Sequence, residues 1–135
     1  MTNDAQTQAH KLNCTWTMLR YTYGLVAIIA GADKFFNLLA NWEMYLNPEI
    51  LKVVPLSTMH FMYAVGAIEI AAGLIVLFFC ARFGSYLIAA WLTGIALSMI
   101  AMGHFYDVAV RDLVIAVGAI ALAQLTAIHE HLKKA

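Results

Sequence analysis

The amino-acid sequence predicts an all-α integral membrane protein: a four-helix bundle with a short interfacial helix or lid between helices 1 and 2. Three observations carry the prediction. Of 135 residues, 63% are apolar and only 12% charged. Average soluble chains hold about 45–50% apolar and about 25% charged residues, so a water-soluble fold would lack the polar surface to cover itself. The apolar residues gather in four stretches, most of them close to the roughly 20 residues that a crossing helix needs at about 1.5 Å per residue. No stretch alternates apolar and polar residues with period two, as a barrel strand would.

Residues 1–16 read as a polar N-terminal segment, with 2–13 frayed or interfacial. No short apolar region with a small-residue cleavage site follows, so the first apolar stretch is expected to stay in place as a signal-anchor. One transmembrane domain then occupies 17–130, with crossings at about 17–39, 57–80, 83–105 and 108–128, and 131–135 form a polar tail. The first crossing is interrupted by Asp33, Lys34 and Asn37, and the second only by Glu69. The third carries no formal charge before His104. The fourth reaches crossing length by drawing Arg111 and Asp112 into the membrane edge.

Ala81 and Arg82 form a nearly bare turn between crossings two and three. The longest linker, 40–56, contains Pro48, Pro55, Trp42, Tyr45 and Leu46. It reads as an interfacial helix or re-entrant lid over the bundle mouth, or equally as an ordinary loop with interfacial aromatics. Basic residues near the membrane ends set the orientation. Lys11, Arg20, Arg82, Lys133 and Lys134 fall on one side, against Lys52 and Arg111, with Lys34 near a helix end. The expected location is therefore the inner (cytoplasmic) membrane, multi-pass, with both termini cytoplasmic. Lys plus Arg equals Asp plus Glu, so no basic excess points to nucleic acid.

Ionisable residues inside a bilayer persist where they are paired, face the bundle or function. Glu69 is the sharpest case. Gly66, Glu69 and Gly73 share one helical stripe, and small residues there admit a second helix, so the carboxyl is expected to face the bundle. Asp33 and Asn37 share a stripe of the first crossing. Lys34, about a hundred degrees away, could reach inward to Glu69 or snorkel to the headgroups. His60 and His104 lie at the outer ends of their crossings, so Asp33, Lys34, His60, Glu69, His104, Arg111 and Asp112 are expected to converge in the outer half of the bundle. Such a cluster is either a structural ion-pair network or a site for a quinone headgroup, a small sulfur species, a proton or a metal. No local ligand spacing supports a metal. His129 and His131 read as a solvated tail, and Cys14 and Cys80 as two free buried thiols. No CxxC, phosphate-binding loop or nucleophile elbow is present.

The stretch Gly31, Ala32, Asp33, Lys34, Phe35, Phe36, followed by Tyr45, Leu46, Asn47, Pro48, resembles the first helix and lid of the DoxX-like membrane proteins. Ile68, Glu69 and the run to Leu77, then Arg82, resemble that family's second helix and turn. Gly103, His104, Phe105 and Arg111, Asp112, Leu113 resemble its third-helix end and fourth-helix start. The resemblance spans residues 18–126. It implies a four-helix membrane bundle associated with redox chemistry, some relatives being subunits of a thiosulfate:quinone oxidoreductase and others partners of superoxide- and thiol-handling proteins. Asp33 and Asp112 depart from the common pattern.

The leading expectation is an accessory membrane subunit for respiratory or sulfur/thiol redox work, belonging to a membrane redox complex or a homo-oligomer, with a pocket for a quinone headgroup or a small sulfur species and the cofactor left open, quinone among the candidates. Lys34 would supply positive charge to a developing oxyanion, Glu69 would exchange a proton, and His104 would relay it. Asp33, Asn37, His60, Arg111 and Asp112 would line the headgroup site. A non-enzymatic scaffold or assembly subunit is the first alternative. A small transporter is the second, weakened by the absence of an inverted repeat.

Overall fold

A computed structural model describes residues 2–135. In chain order the elements are α1 (Asn3–Asp33), a 3-10 turn (Trp42–Tyr45), α2 (Pro48–Val53), α3 (Thr58–Phe78), α4 (Ala81–Met102) and α5 (Tyr106–Lys134). Among the described residues there is no strand. Three helices, α3, α4 and α5, are long and apolar enough to cross a membrane. The longer α1 carries a polar first half and Arg20, and its composition keeps it out of that group.

Helix ends follow local chemistry. Thr2 opens α1 by accepting the Ala5 N–H at 3.3 Å. Asn47 opens α2, with Pro48 in the first turn, and Ser57 opens α3. These short polar side chains each satisfy a backbone donor that the helix cannot. Gly103 closes α4 at φ +79°, a left-handed position that favours glycine. Only Phe79 and Cys80 separate α3 from α4.

Small residues dominate the helix contacts, with Val76, Ile88, Met99 and Leu122 filling the core between them, while many large apolar residues face outward. The α1–α3 contact is antiparallel and built on glycine. A Cβ on Gly66 would lie 2.5 Å from the Gly31 carbonyl oxygen, and one on Gly73 would lie 2.6 Å from that of Gly24. Between α4 and α5 the buried residues include Ala89, Ala96, Ala109, Ala116, Ala119 and Ala123. Leu25, Val26, Ile29, Phe83, Leu97, Val110, Val114 and Val117 point outward. Lipid is as apolar as leucine, so burying leucine between helices gains nothing there, and close backbone packing supplies the association.

Several boundaries differ from expectation. The polar N-terminal segment is helical from Asn3, and the expected first crossing over 17–39 stops at Asp33. It stops because the Asp33 carboxylate takes the Leu38 and Leu39 N–H groups and Asn37 turns to φ +53°. The tail reading of His129 is corrected: α5 continues to Lys134, and His129 is buried on α1 while His131 is exposed. Cys14 and Cys80 are free thiols as expected, but both are exposed, because each sits on or beyond the polar end of its helix pair. The 40–56 linker holds the 3-10 turn and α2. Its Tyr45 ring packs edge-on against Phe105, with centroids 4.7 Å apart.

The glycine contact yields a direct test. Gly73→Val should push α1 from α3 and lower the thermal unfolding midpoint in detergent by several degrees, since overpacking costs about 1–3 kcal/mol. Gly94→Ala should leave the midpoint unchanged or slightly raised, because a Cβ there meets nothing within 4 Å.

Candidate functional site

The glycine-lined approach of α1 to α3 places a lysine beside a carboxylate inside the apolar bundle. Lys34 ends α1 and Glu69 lies midway along α3. Gly66 lets the lysine stem lie against α3, since a Cβ there would come within 3.1 Å of Lys34 Cβ. Of the two directions open to Lys34, the side chain takes the inward one. Its Nζ donates to Glu69 Oε2 at 2.6 Å, with side-chain exposures of 5% and 11%.

Two tryptophans complete the surroundings. Trp91 on α4 donates its indole N–H to Glu69 Oε1 at 3.4 Å. Trp42, from the 3-10 turn, lays its ring face over Lys34, with Nζ 3.8 Å from the ring centroid, a cation–π contact that strengthens where water is excluded. Trp42 is itself held in place, its Nε1 donating to Asp33 Oδ2 at 2.7 Å. The same carboxylate accepts the N–H of Leu38 at 2.9 Å and of Leu39 at 3.0 Å. Adjacent residues thus do different work: Asp33 folds the chain back over the end of α1, and Lys34 enters the bundle beneath it.

Asp112 on α5 is buried. Arg111 is exposed and stands 3.5 Å from the Asp112 carboxylate. Asp33, Lys34 and Glu69 are thus joined, through the ion pair and through Trp42. Asn37 is exposed on the turn after α1. His60 is exposed at the start of α3, its Nδ1 2.6 Å from Ser57 Oγ. His104 is exposed on the α4–α5 turn beside the Phe105 ring, and among the described residues it makes no hydrogen bond to the pair. Nor do the described residues bring together three or more His, Cys, Asp or Glu side chains that could hold a metal ion.

Sequence reasoning missed Trp42 and Trp91. Trp42 was read as an interfacial aromatic, and nothing in the linker announces its fold-back over Lys34. Trp91 carried a usable signal: an indole N–H in the middle of an apolar crossing needs an acceptor. Glu69 is the only carboxylate in the neighbouring crossing.

Chemically, the pair offers a cation, a carboxylate and an indole donor in a site with little water. Removing one member of a buried pair strands the other, at about 3–5 kcal/mol, whereas replacing both with apolar groups of similar size is often neutral. Lys34→Met and Glu69→Leu should each lower the unfolding midpoint in detergent, and the double variant should recover most of the loss. Asp33→Ala should speed amide hydrogen exchange at Leu38 and Leu39 by at least about tenfold, because bonds to a charged acceptor contribute about 1.5–3 kcal/mol.

Comparison with protein-family models, with curated proteins and with solved structures finds no match to this chain.

Proposed function

We propose that this chain is a DoxX-like accessory membrane protein of a respiratory or sulfur/thiol redox system. In this reading Lys34 and Glu69 are the receptor for a quinone headgroup or a small sulfur oxyanion. One observation carries it: the Lys34 ammonium is held between the Glu69 carboxylate and the Trp42 face inside an apolar bundle. A carbonyl or oxyanion that displaced the carboxylate would meet the ammonium and the Trp91 indole N–H, and Glu69 would be placed to exchange a proton. The 3-10 turn and α2 act as the lid, since Trp42 must move for Lys34 to be reached. His104, exposed on its turn, has no part in this proton path.

The same reading makes α1 a fourth crossing. Arg20 donates from Nε and Nη2 to the Val76 and Leu77 carbonyl oxygens, both at 2.7 Å, which sets it level with the end of α3. From there to Asp33, α1 runs beside α3 with Leu25, Val26 and Ile29 facing outward. Both termini then lie on one side, the cytoplasmic side by the distribution of basic residues, and the protein works as a homo-oligomer or a subunit of a membrane redox complex.

A scaffold role is the second reading, favoured by a specific feature. The buried Lys34, Glu69 and Asp33 side chains all have hydrogen-bond partners within the chain, as a purely structural network requires. The two readings part on ligand binding. With the protein in liposomes, a short-chain ubiquinone analogue should quench tryptophan fluorescence saturably. Lys34→Gln, which removes the ammonium that the ligand would meet, should weaken that binding by at least about tenfold, as loss of a charge-assisted contact does. Equal quenching in both proteins, or none, together with thiosulfate failing to protect Lys34 from amine labelling, would leave the scaffold reading.

A further inference from the structure

At the opposite end of α3 from its Ser57 cap, a cleft of about 170 Å³ opens between α1, the α3–α4 turn and α5. Trp16 forms one wall. Its indole N–H donates to Thr126 Oγ1 at 2.9 Å, and His129 stacks on its ring, with centroids 3.9 Å apart and planes 11° from parallel. Arg20, Phe79, Glu130 and Lys133 complete the features that decide what the cleft can hold.

His129 is only 8% exposed, and its Nε2 is the one buried side-chain nitrogen or oxygen among the described residues that has no hydrogen-bond partner. Leaving such an atom unpaired costs about 1–3 kcal/mol, so an orphan in a well-packed region needs an explanation. Here it lies beside unneutralised positive charge. Arg20 uses Nε and Nη2 on the α3 carbonyl oxygens, and among the described residues its Nη1 has no acceptor. Among the described residues no carboxylate lies within salt-bridge distance of Arg20 or Lys133. Burial lowers the His129 pKa below the ordinary histidine value. Lys133 and Arg20 push it the same way, against Glu130.

We propose that this cleft binds the phosphate group of a membrane lipid, held by the His129 Nε2–H, the free edge of Arg20 and the Lys133 ammonium. Two features favour a lipid phosphodiester over free phosphate. Phe79 lines the cleft and is exposed, giving acyl chains an apolar surface to lie on. Glu130 places a carboxylate beside the cleft, which repels a second negative charge and selects the singly charged diester. Basic pockets at the ends of membrane helices bind acidic headgroups through the same combination of charge and hydrogen bonds.

Native mass spectrometry of the protein in neutral detergent tests this, with phosphatidylglycerol or diacylglycerol added. The unaltered protein should retain phosphatidylglycerol and not diacylglycerol. His129→Phe keeps the stack on Trp16 and removes Nε2. Combined with Lys133→Gln, it should reduce the retained lipid by at least about tenfold, the loss expected from two charge-assisted contacts. Equal retention in variant and parent, or retention of diacylglycerol as strong as that of phosphatidylglycerol, would overturn the proposal. Displacement of the lipid by inorganic phosphate would overturn the lipid assignment and identify the free anion as the ligand. If His129→Phe lowers helical content by circular dichroism, Lys133→Gln alone decides the question, since that side chain is exposed. The site is independent of the Lys34–Glu69 pair, so neither reading falls with the other.

Discussion

Everything in this structure depends on how closely the backbones of α1 and α3 approach. With Gly31 against Gly66 and Gly24 against Gly73, the two helices approach so closely that a Cβ at any of these four positions would meet the partner helix within 2.6 Å. Inside lipid there is no hydrophobic gain from burying large apolar groups, so association rests on many short contacts between backbones. The same approach determines the chemistry. It brings the end of α1 within a lysine's reach of the middle of α3, and a residue larger than glycine at 66 would occupy the space taken by the Lys34 stem.

Glu69, Asp33 and Arg20 follow one pattern, each answered from another segment of the chain, whereas the buried Asp112 meets its own helix neighbour Arg111. Glu69 on α3 is met by Lys34 from α1 and Trp91 from α4. Asp33 is met by the backbone beyond it and by Trp42. Arg20 on α1 answers carbonyls that α3 itself cannot satisfy at its end. Each of these contacts joins segments that the apolar packing alone would leave free to slide, so the polar groups fix the register that small residues cannot.

How much of this is legible in the sequence depends on whether the signal is local. The all-helical, membrane-type character follows from composition and run length. The inward face of Glu69 follows from its place on the Gly66–Gly73 stripe. The choice of Lys34 between lipid surface and bundle is not legible, because both directions lie within reach of a long flexible side chain. The fold-back of Trp42 depends on Asp33 capturing backbone donors several residues later, a non-local event in a linker without regular period. The length of α1 and the burial of His129 were misread for one shared reason. Polar composition at a chain end looks like a frayed segment, yet here two such ends pack on each other through Trp16, Thr126 and His129.

The two-residue turn between α3 and α4 reaches further than its size suggests. It couples helices of 21 and 22 residues into a single hairpin, each about 31–33 Å long at about 1.5 Å per residue. That length matches the hydrocarbon thickness of an ordinary bilayer, about 30 Å, with little tilt. Because neither helix can lengthen or slide past the other through so short a turn, the hairpin acts as a fixed ruler. A thinner membrane must be met by tilting the whole molecule, and a thicker one by thinning around it, so the hairpin sets the bilayer thickness in which the bundle stands upright.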